Sequence, residues 1–191
     1  MSELIVEDQD FRGLTFSKEE KLPKGDYENC RFVNCNFSDS TLSSVNFIDC
    51  KFTDCNLSMT NIKSTSLKTV HFKSCKLVGV NFGECNSFLL SLDFEDCILN
   101  LASFFKLKLK GTRFKNCNLH EVDFVEADLT SANFENCDLA SAVFENTILE
   151  KADFRTSTNF SIDPEINKIK KAKFSILGIK GLLTKYDIVI Q

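Results

Sequence analysis

Nine cysteines and two histidines are the side chains of this 191-residue chain with the widest chemical reach: thiolates attack electrophiles or pair as disulfides, and with imidazoles they bind zinc or copper. Such sites need their groups gathered, typically at spacings such as CxxC. Here Cys30 and Cys35, and Cys50 and Cys55, stand five residues apart, while Cys35, Cys55, Cys75, Cys97, Cys117 and Cys137 recur at intervals of 20 or 22. His71 and His120 stand alone. The seven glycines, Gly13, Gly25, Gly79, Gly83, Gly111, Gly178 and Gly181, fit neither GxGxxG nor the GxxxxGKS/T pattern that cradles phosphate. Outward serines and threonines have no base fixed nearby by local sequence. The recurrence points to one small buried environment copied many times, in which cysteine behaves as a small hydrophobe. No enzymatic activity, metal or cofactor is expected.

The elements that must hold these residues repeat every five positions. Large apolar residues run from Tyr27, Phe32, Phe37, Leu42 and Phe47 to Phe82, slip by two, and resume at Phe94, Leu99, Phe104 and Leu109 through to Phe154. Phe11 and Phe16 sit in a third register. A period of five fits neither a helix at 3.6 nor a strand at 2. Two residues before each large one comes a small or β-branched residue, such as Ser40, Val45, Thr60, Ala127 or Ala132, and all nine cysteines take that position. Sorting the large positions by twenty gives a candidate core ladder made wholly of phenylalanine: Phe32, Phe52, Phe72, Phe94, Phe114, Phe134 and Phe154. Its neighbour reads Phe37, Leu57, Leu77, Leu99, Leu119 and Leu139. Composition agrees, with 19 Phe against two Tyr and no Trp.

The units CNFSD, VNFID, CNLSM, ADLTS, ANFEN, CDLAS and ADFRT resemble the A(D/N)LXX motif of the pentapeptide-repeat family, over about residues 27 to 154. The resemblance implies an all-β, right-handed quadrilateral parallel β-helix of about seven coils, one pentapeptide per side, with the small and the large residue both inward. Cys30 and Cys35 would then lie on different sides, and ladder cysteines about 4.8 Å apart with parallel Cβ vectors, poorly aimed for a disulfide. His71 and His120 would be more than two coils apart and share no site. One coil cannot bury its own rings, so stability must come from stacked neighbours.

Three regions follow. Residues 1–26 are expected to form an N-terminal cap and irregular first coil, with Leu4 to Val6 as a covering strand. Residues 27–160 form the repeat, interrupted by a two-residue insertion within 83–93, where Ser87 occupies a large position and one of Phe88, Leu89 and Leu90 should fill the gap. Residues 161–191 hold a degenerate last coil broken at Pro164, a short helix and a final strand. This tail, and the phrase IDPEINKI in particular, resembles the gyrase-protecting branch of the family, Qnr-like and microcin-immunity-like. That resemblance implies a homodimer joined at the C-termini, with Ile176, Leu177, Ile179, Leu182, Leu183, Tyr186, Ile188 and Ile190 as contacts.

The same branch presents an acidic surface to the DNA-binding saddle of DNA gyrase or another type II topoisomerase. Charge here is banded: residues 1–62 carry 11 acidic and 6 basic groups, 63–114 carry 4 and 8, 115–155 carry 9 and 3, and 156–191 carry 3 and 6. The candidate acidic partner surface is Glu121, Asp123, Glu126, Asp128, Glu135, Asp138, Glu145, Glu150 and Asp153. The rival expectation is a bacterial protein-interaction scaffold of the same fold. Net charge of −4 and a lack of outward aromatics around the lysine belt argue against direct nucleic-acid binding. The opening MSELIVEDQDF lacks the pattern of a signal peptide and no apolar run is long enough to span a bilayer, so a cytoplasmic protein without membrane attachment is expected.

Overall fold

The computed structural model describes residues 4–186 and 188–189. Strands are only three or four residues long: β1 (Ile5–Glu7), β2 (Asp10–Arg12), β3 (Asp26–Glu28), β4 (Arg31–Val33), β5 (Asn46–Ile48), β6 (Lys51–Thr53), β7 (Ser66–Lys68), β8 (Val70–Lys73), β9 (Leu92–Glu95), β10 (Arg113–Lys115) and β11 (Asn133–Glu135). All pairings are parallel, in sheets ordered β1-β3-β5-β7 and β2-β4-β6-β8-β9-β10-β11. Isolated parallel bridges, such as Asn36↔Asn56 and Ser103↔Asp123, continue the other two sides. The result is a parallel solenoid of about seven four-sided coils.

The backbone explains why no strand grows longer. Among the described residues twenty-five other than glycine hold a positive φ, most of them two residues after a large inward one, as at Asn34, Asp54, Asn116 and Asn136. Each forces a corner. Asn and Asp tolerate this left-handed region because their short side chains bond locally. Asn116 donates to Asp96 at 2.8 Å and Asn136 to Asn116 at 3.1 Å, so one corner is stitched from coil to coil. Gly79 and Gly111 take the same position with φ of +67° and +71°.

The core runs the length of the rod. On the second side, Phe32 pairs with Phe52 and Phe72 with Phe94 in the strand register, and Phe94, Phe114, Phe134, Phe154 and Phe174 stack with nearly parallel rings at centroid spacings of 4.6 to 5.4 Å. The fourth side carries a second column, Phe82, Phe104, Phe124 and Phe144. The columns meet edge to face, as between Phe114 and Phe124 at 5.9 Å and 81°, an arrangement the ring quadrupoles favour. All nine cysteines are free and buried, and each ladder thiol reaches backbone carbonyls, as Cys137 reaches the carbonyl of Phe114 in the coil before. Burial pushes the Cys50 thiol up to about 12 and that of Cys85 up to about 11, away from the thiolate form that would react.

The first coil is more regular than its sequence suggests. β1 and β2 pair in register with β3 and β4, and Phe11 and Phe16 stack on Phe32 and Phe37. The extra residue falls later, in the side that holds the buried Leu22. At the two-residue insertion the ladder leaves at Asn86, bulges, and returns when Ser91 donates to Leu67 and β9 pairs with β8. Leu90 turns inward against the core, while Ser87, Phe88 and Leu89 stay exposed.

At the C-terminal end, Phe174 closes the phenylalanine column and Asn167 takes a small inward position. Its amide donates to the carbonyls of Phe144 and Asp163 at 2.8 and 2.9 Å, and its oxygen accepts from Thr147 N–H at 2.9 Å, so a buried polar group is fully employed. The expected helix is two 3-10 turns, Ile179–Leu182 and Thr184–Tyr186. Gly181 sets this geometry, because a Cβ there would collide with the carbonyl and ring of Phe160. Ile188 and Val189 form no strand pairing, and Asp187 and Ile190 lie outside the described residues.

Candidate interaction surfaces

Outward positions divide among four sides and four corners, and the division decides what the surface can do. The histidines lie on different sides. His71 Nδ1 is 3.3 Å from Asp93, and His120 Nε2 is 2.8 Å from Asp138. Among the described residues no group of three or more His, Cys, Asp or Glu is placed to hold a metal ion. A shallow groove of about 380 Å³ on the second side is lined by Lys51, His71, Lys73, Asp93, Glu95 and Arg113. Its charges bond to one another across coils: Lys73 and Lys115 both reach Glu95, and Arg113 reaches Glu135.

The nine carboxylates of residues 115–155 fall into two groups. Glu121, Asp123, Glu126 and Glu145 lie on or at the corners of the fourth side, outside Phe124 and Phe144, where the two consecutive stretches EVDFVE and SAVFEN contain no basic residue. Asp123 accepts from the Ser103 hydroxyl at 3.0 Å, and Glu126 lies 3.5 Å from Lys106 one coil earlier. Among the described residues Glu121, Asp123 and Glu145 have no ion-pair partner. The other five occupy the remaining sides, and four are paired: Asp128 with Lys110 at 3.2 Å, Glu135 with Arg113 at 3.2 Å, Asp138 with His120, and Asp153 with Arg155 at 2.7 Å and Lys173 at 3.6 Å. Glu150 lies on the first side, among Lys151, Lys168 and Lys170 in sequence and coil position. Of the four carboxylates in this segment without an ion-pair partner among the described residues, Glu121, Asp123 and Glu145 share the fourth side and Glu150 lies on the first.

The C-terminal end is the most apolar exposed region. Ile176 and Leu177 are 91% and 87% exposed, with Ile179, Tyr186, Ile188 and also Val189, which is not among the expected contacts, exposed beside them. Leu182 and Leu183 are half-buried, with Leu182 packed on the core. The segment is held to the last coil by Lys185, whose Nζ is 2.8 Å from Asp163 and 2.6 Å from Glu165, while the Tyr186 hydroxyl donates to Glu165 at 2.9 Å.

These pairings set a pH dependence. The Arg155 guanidinium holds Asp153 below the ordinary carboxylate range, and Lys185 does the same for Asp163 and Glu165. Their folded values lie below their unfolded ones, so near pH 4 the unfolded chain binds more protons. Stability is fully present above the ordinary carboxylate value of about 4 and is lost as pH falls through the lowered folded values. Thermal melts should show a steady midpoint above about pH 5 and a fall below about pH 4. Asp153→Asn should flatten part of that fall; an unchanged acid slope would contradict the assignment.

A family model described as a pentapeptide repeat region matches residues 26–88 and 86–154. Among curated proteins none matches the chain. Several solved structures are similar to it at low identity. Full-length QnrB1, a plasmid-mediated fluoroquinolone resistance protein, is 20% identical over 96% of this chain and 100% of its own, with a TM-score of 0.46. HetL, involved in heterocyst differentiation regulation in the cyanobacterium Nostoc, is 16% identical over 88% and 86%, with a TM-score of 0.34. A pentapeptide repeat protein from the thylakoid lumen of Arabidopsis thaliana is 20% identical over 67% and 60%, with a TM-score of 0.25.

Proposed function

Because the chain belongs to the pentapeptide-repeat family, we propose that it is a non-enzymatic binding rod, dimeric through its C-terminal end and cytoplasmic, whose acidic fourth side occupies the DNA-binding surface of a type II topoisomerase such as gyrase. The observation that carries this reading is the unbroken acidic stretch of Glu121, Asp123, Glu126 and Glu145 on one side of two consecutive coils. Two coils span roughly 10 Å at strand spacing. One DNA strand places about three phosphates in that length, at one per 3.4 Å. Four carboxylates on one side match a strand edge, and three of them are uncompensated by neighbouring cations. A two-fold axis at the C-terminus would set two such edges in a symmetric pair, as a symmetric topoisomerase requires. The choice of topoisomerase rests on the resemblance of residues 162–169 to the gyrase-protecting branch.

A protein-interaction scaffold with a different partner is favoured by one other observation. The corner between the third and fourth sides exposes Met59 and Leu101, with Ile98 and Phe105 beside them, on a stretch with few charges. Gyrase supercoiling assays separate the two readings. The purified protein should inhibit supercoiling or relieve its inhibition by a fluoroquinolone, and the pair Asp123→Lys and Glu145→Lys should abolish the effect, while Glu135→Lys, whose carboxylate is already engaged by Arg113, should not. No effect of the wild-type protein would leave the scaffold.

A further inference from the structure

The insertion supplies more apolar residues than the core needs. A regular coil would place one large residue near position 87; here Leu90 does that work, and Phe88 and Leu89 remain 66% and 64% exposed. Leu89 is also held at a φ of +56°, a conformation leucine rarely adopts, so the bulge presents these two side chains at the cost of local strain. Their surroundings are basic. The Lys68 ammonium lies 5.9 Å from the Phe88 ring centre, one coil before it on the same side. One coil after, Lys108 and Lys110 line a cleft of about 80 Å³ whose opposite wall is Leu90 to Asp93. Lys110 is engaged by Asp128, but among the described residues neither Lys68 nor Lys108 pairs with a carboxylate.

We infer that Phe88 and Leu89, bracketed along the rod by Lys68 and Lys108, form a second docking site, distinct from the acidic side, for an acidic protein segment that carries large apolar side chains. The apolar pair would bury against the segment's own apolar residue, and the two unpaired ammonium groups, one coil to either side, would meet its carboxylates. Nucleic acid is the competing occupant: contrary to the expectation of no outward aromatics around the lysine belt, Phe88 and Phe105 are exposed there beside Lys68 and Lys106, but Leu89 beside Phe88 offers no π face to a base and a chain of net charge −4 repels a polyanion at long range. The site does not depend on the topoisomerase reading, since it lies on the first side and uses none of the acidic residues.

The test uses the intact protein on an array of peptides about twelve residues long, in four sets of randomised order: Asp and Glu with Leu and Phe, Asp and Glu with Ser, Lys and Arg with Leu and Phe, and Ser with Leu and Phe. A single-stranded oligonucleotide is included as a further probe. The acidic apolar set should be retained above the other three. The pairs Phe88→Ser with Leu89→Gly, and Lys68→Gln with Lys108→Gln, should each weaken that retention roughly tenfold, the scale of losing one anchoring contact. Melting curves should not move downward, because Phe88, Leu89 and Lys108 are exposed and Lys68 is half-buried outside the core; Asp123→Lys with Glu145→Lys should leave retention unchanged. Equal retention of all four sets, retention unaffected by either pair, or tighter oligonucleotide binding with the same residue dependence would overturn the inference.

Discussion

Phe114→Ala should destabilise the protein by about 3–5 kcal/mol, the range for truncating a fully enclosed phenylalanine. Phe114 has no exposed surface. It stacks on Phe94 at 5.2 Å and Phe134 at 5.0 Å and meets Phe104 and Phe124 edge to face, so four rings lose a partner at once. A solenoid makes the loss harder to absorb, because each coil is supported only by its two neighbours and mid-stack damage uncouples the halves. With a chain of this length the thermal midpoint should fall by about 10 °C, at about 2–4 °C per kcal/mol. Phe105→Ala, one residue from a core position but 39% exposed, is the control and should shift the midpoint little. Equal shifts for the two variants would refute the inward register.

Replacing Ile176 and Leu177 with Asp should convert a dimer into a monomer without unfolding it. Both side chains are almost fully solvent-exposed in the single chain, so the substitutions remove no core contact. In a dimer joined at this end they would be buried, and an unpaired carboxylate costs several kcal/mol to desolvate, enough to raise the dissociation constant more than about a hundredfold. Light scattering should give twice the chain mass of 21.6 kDa for the wild type and 21.6 kDa for the double variant, with matching melts. A wild-type protein that is monomeric at micromolar concentration would contradict the end-to-end arrangement.

The period of five and the alignment by twenty were legible because one environment is copied in every coil, and a single phenylalanine column records it. Which carboxylates matter was harder to read. Glu135 with Arg113 and Glu126 with Lys106 are separated by 22 and 20 residues, so each of these carboxylates has its cation directly across the coil boundary. Counting charges along the chain merges these neutralised groups with Glu121, Asp123 and Glu145; only the coil register separates them. The positive-φ corners left a faint trace, in that Gly13, Gly79 and Gly111 share the repeat position that elsewhere often holds Asn, Asp or Ser. At the C-terminus no local period applies, and the 3-10 turns follow from a tertiary fact, the ring of Phe160 lying where a Cβ of residue 181 would go. Likewise, that Leu90 fills the gap at the insertion while Phe88 and Leu89 face solvent depends on how a bulge of fixed length closes.

The most direct measurement of the proposed function is competition between the protein and labelled duplex DNA for purified type II topoisomerase, followed by fluorescence anisotropy. The wild-type protein should displace the duplex in a saturable way; Asp123→Lys with Glu145→Lys should fail to do so, and Glu135→Lys with Asp153→Asn should still do so. Binding to topoisomerase without displacement of DNA, or displacement that survives reversal of the fourth side, would contradict an acidic edge standing in for the nucleic-acid backbone.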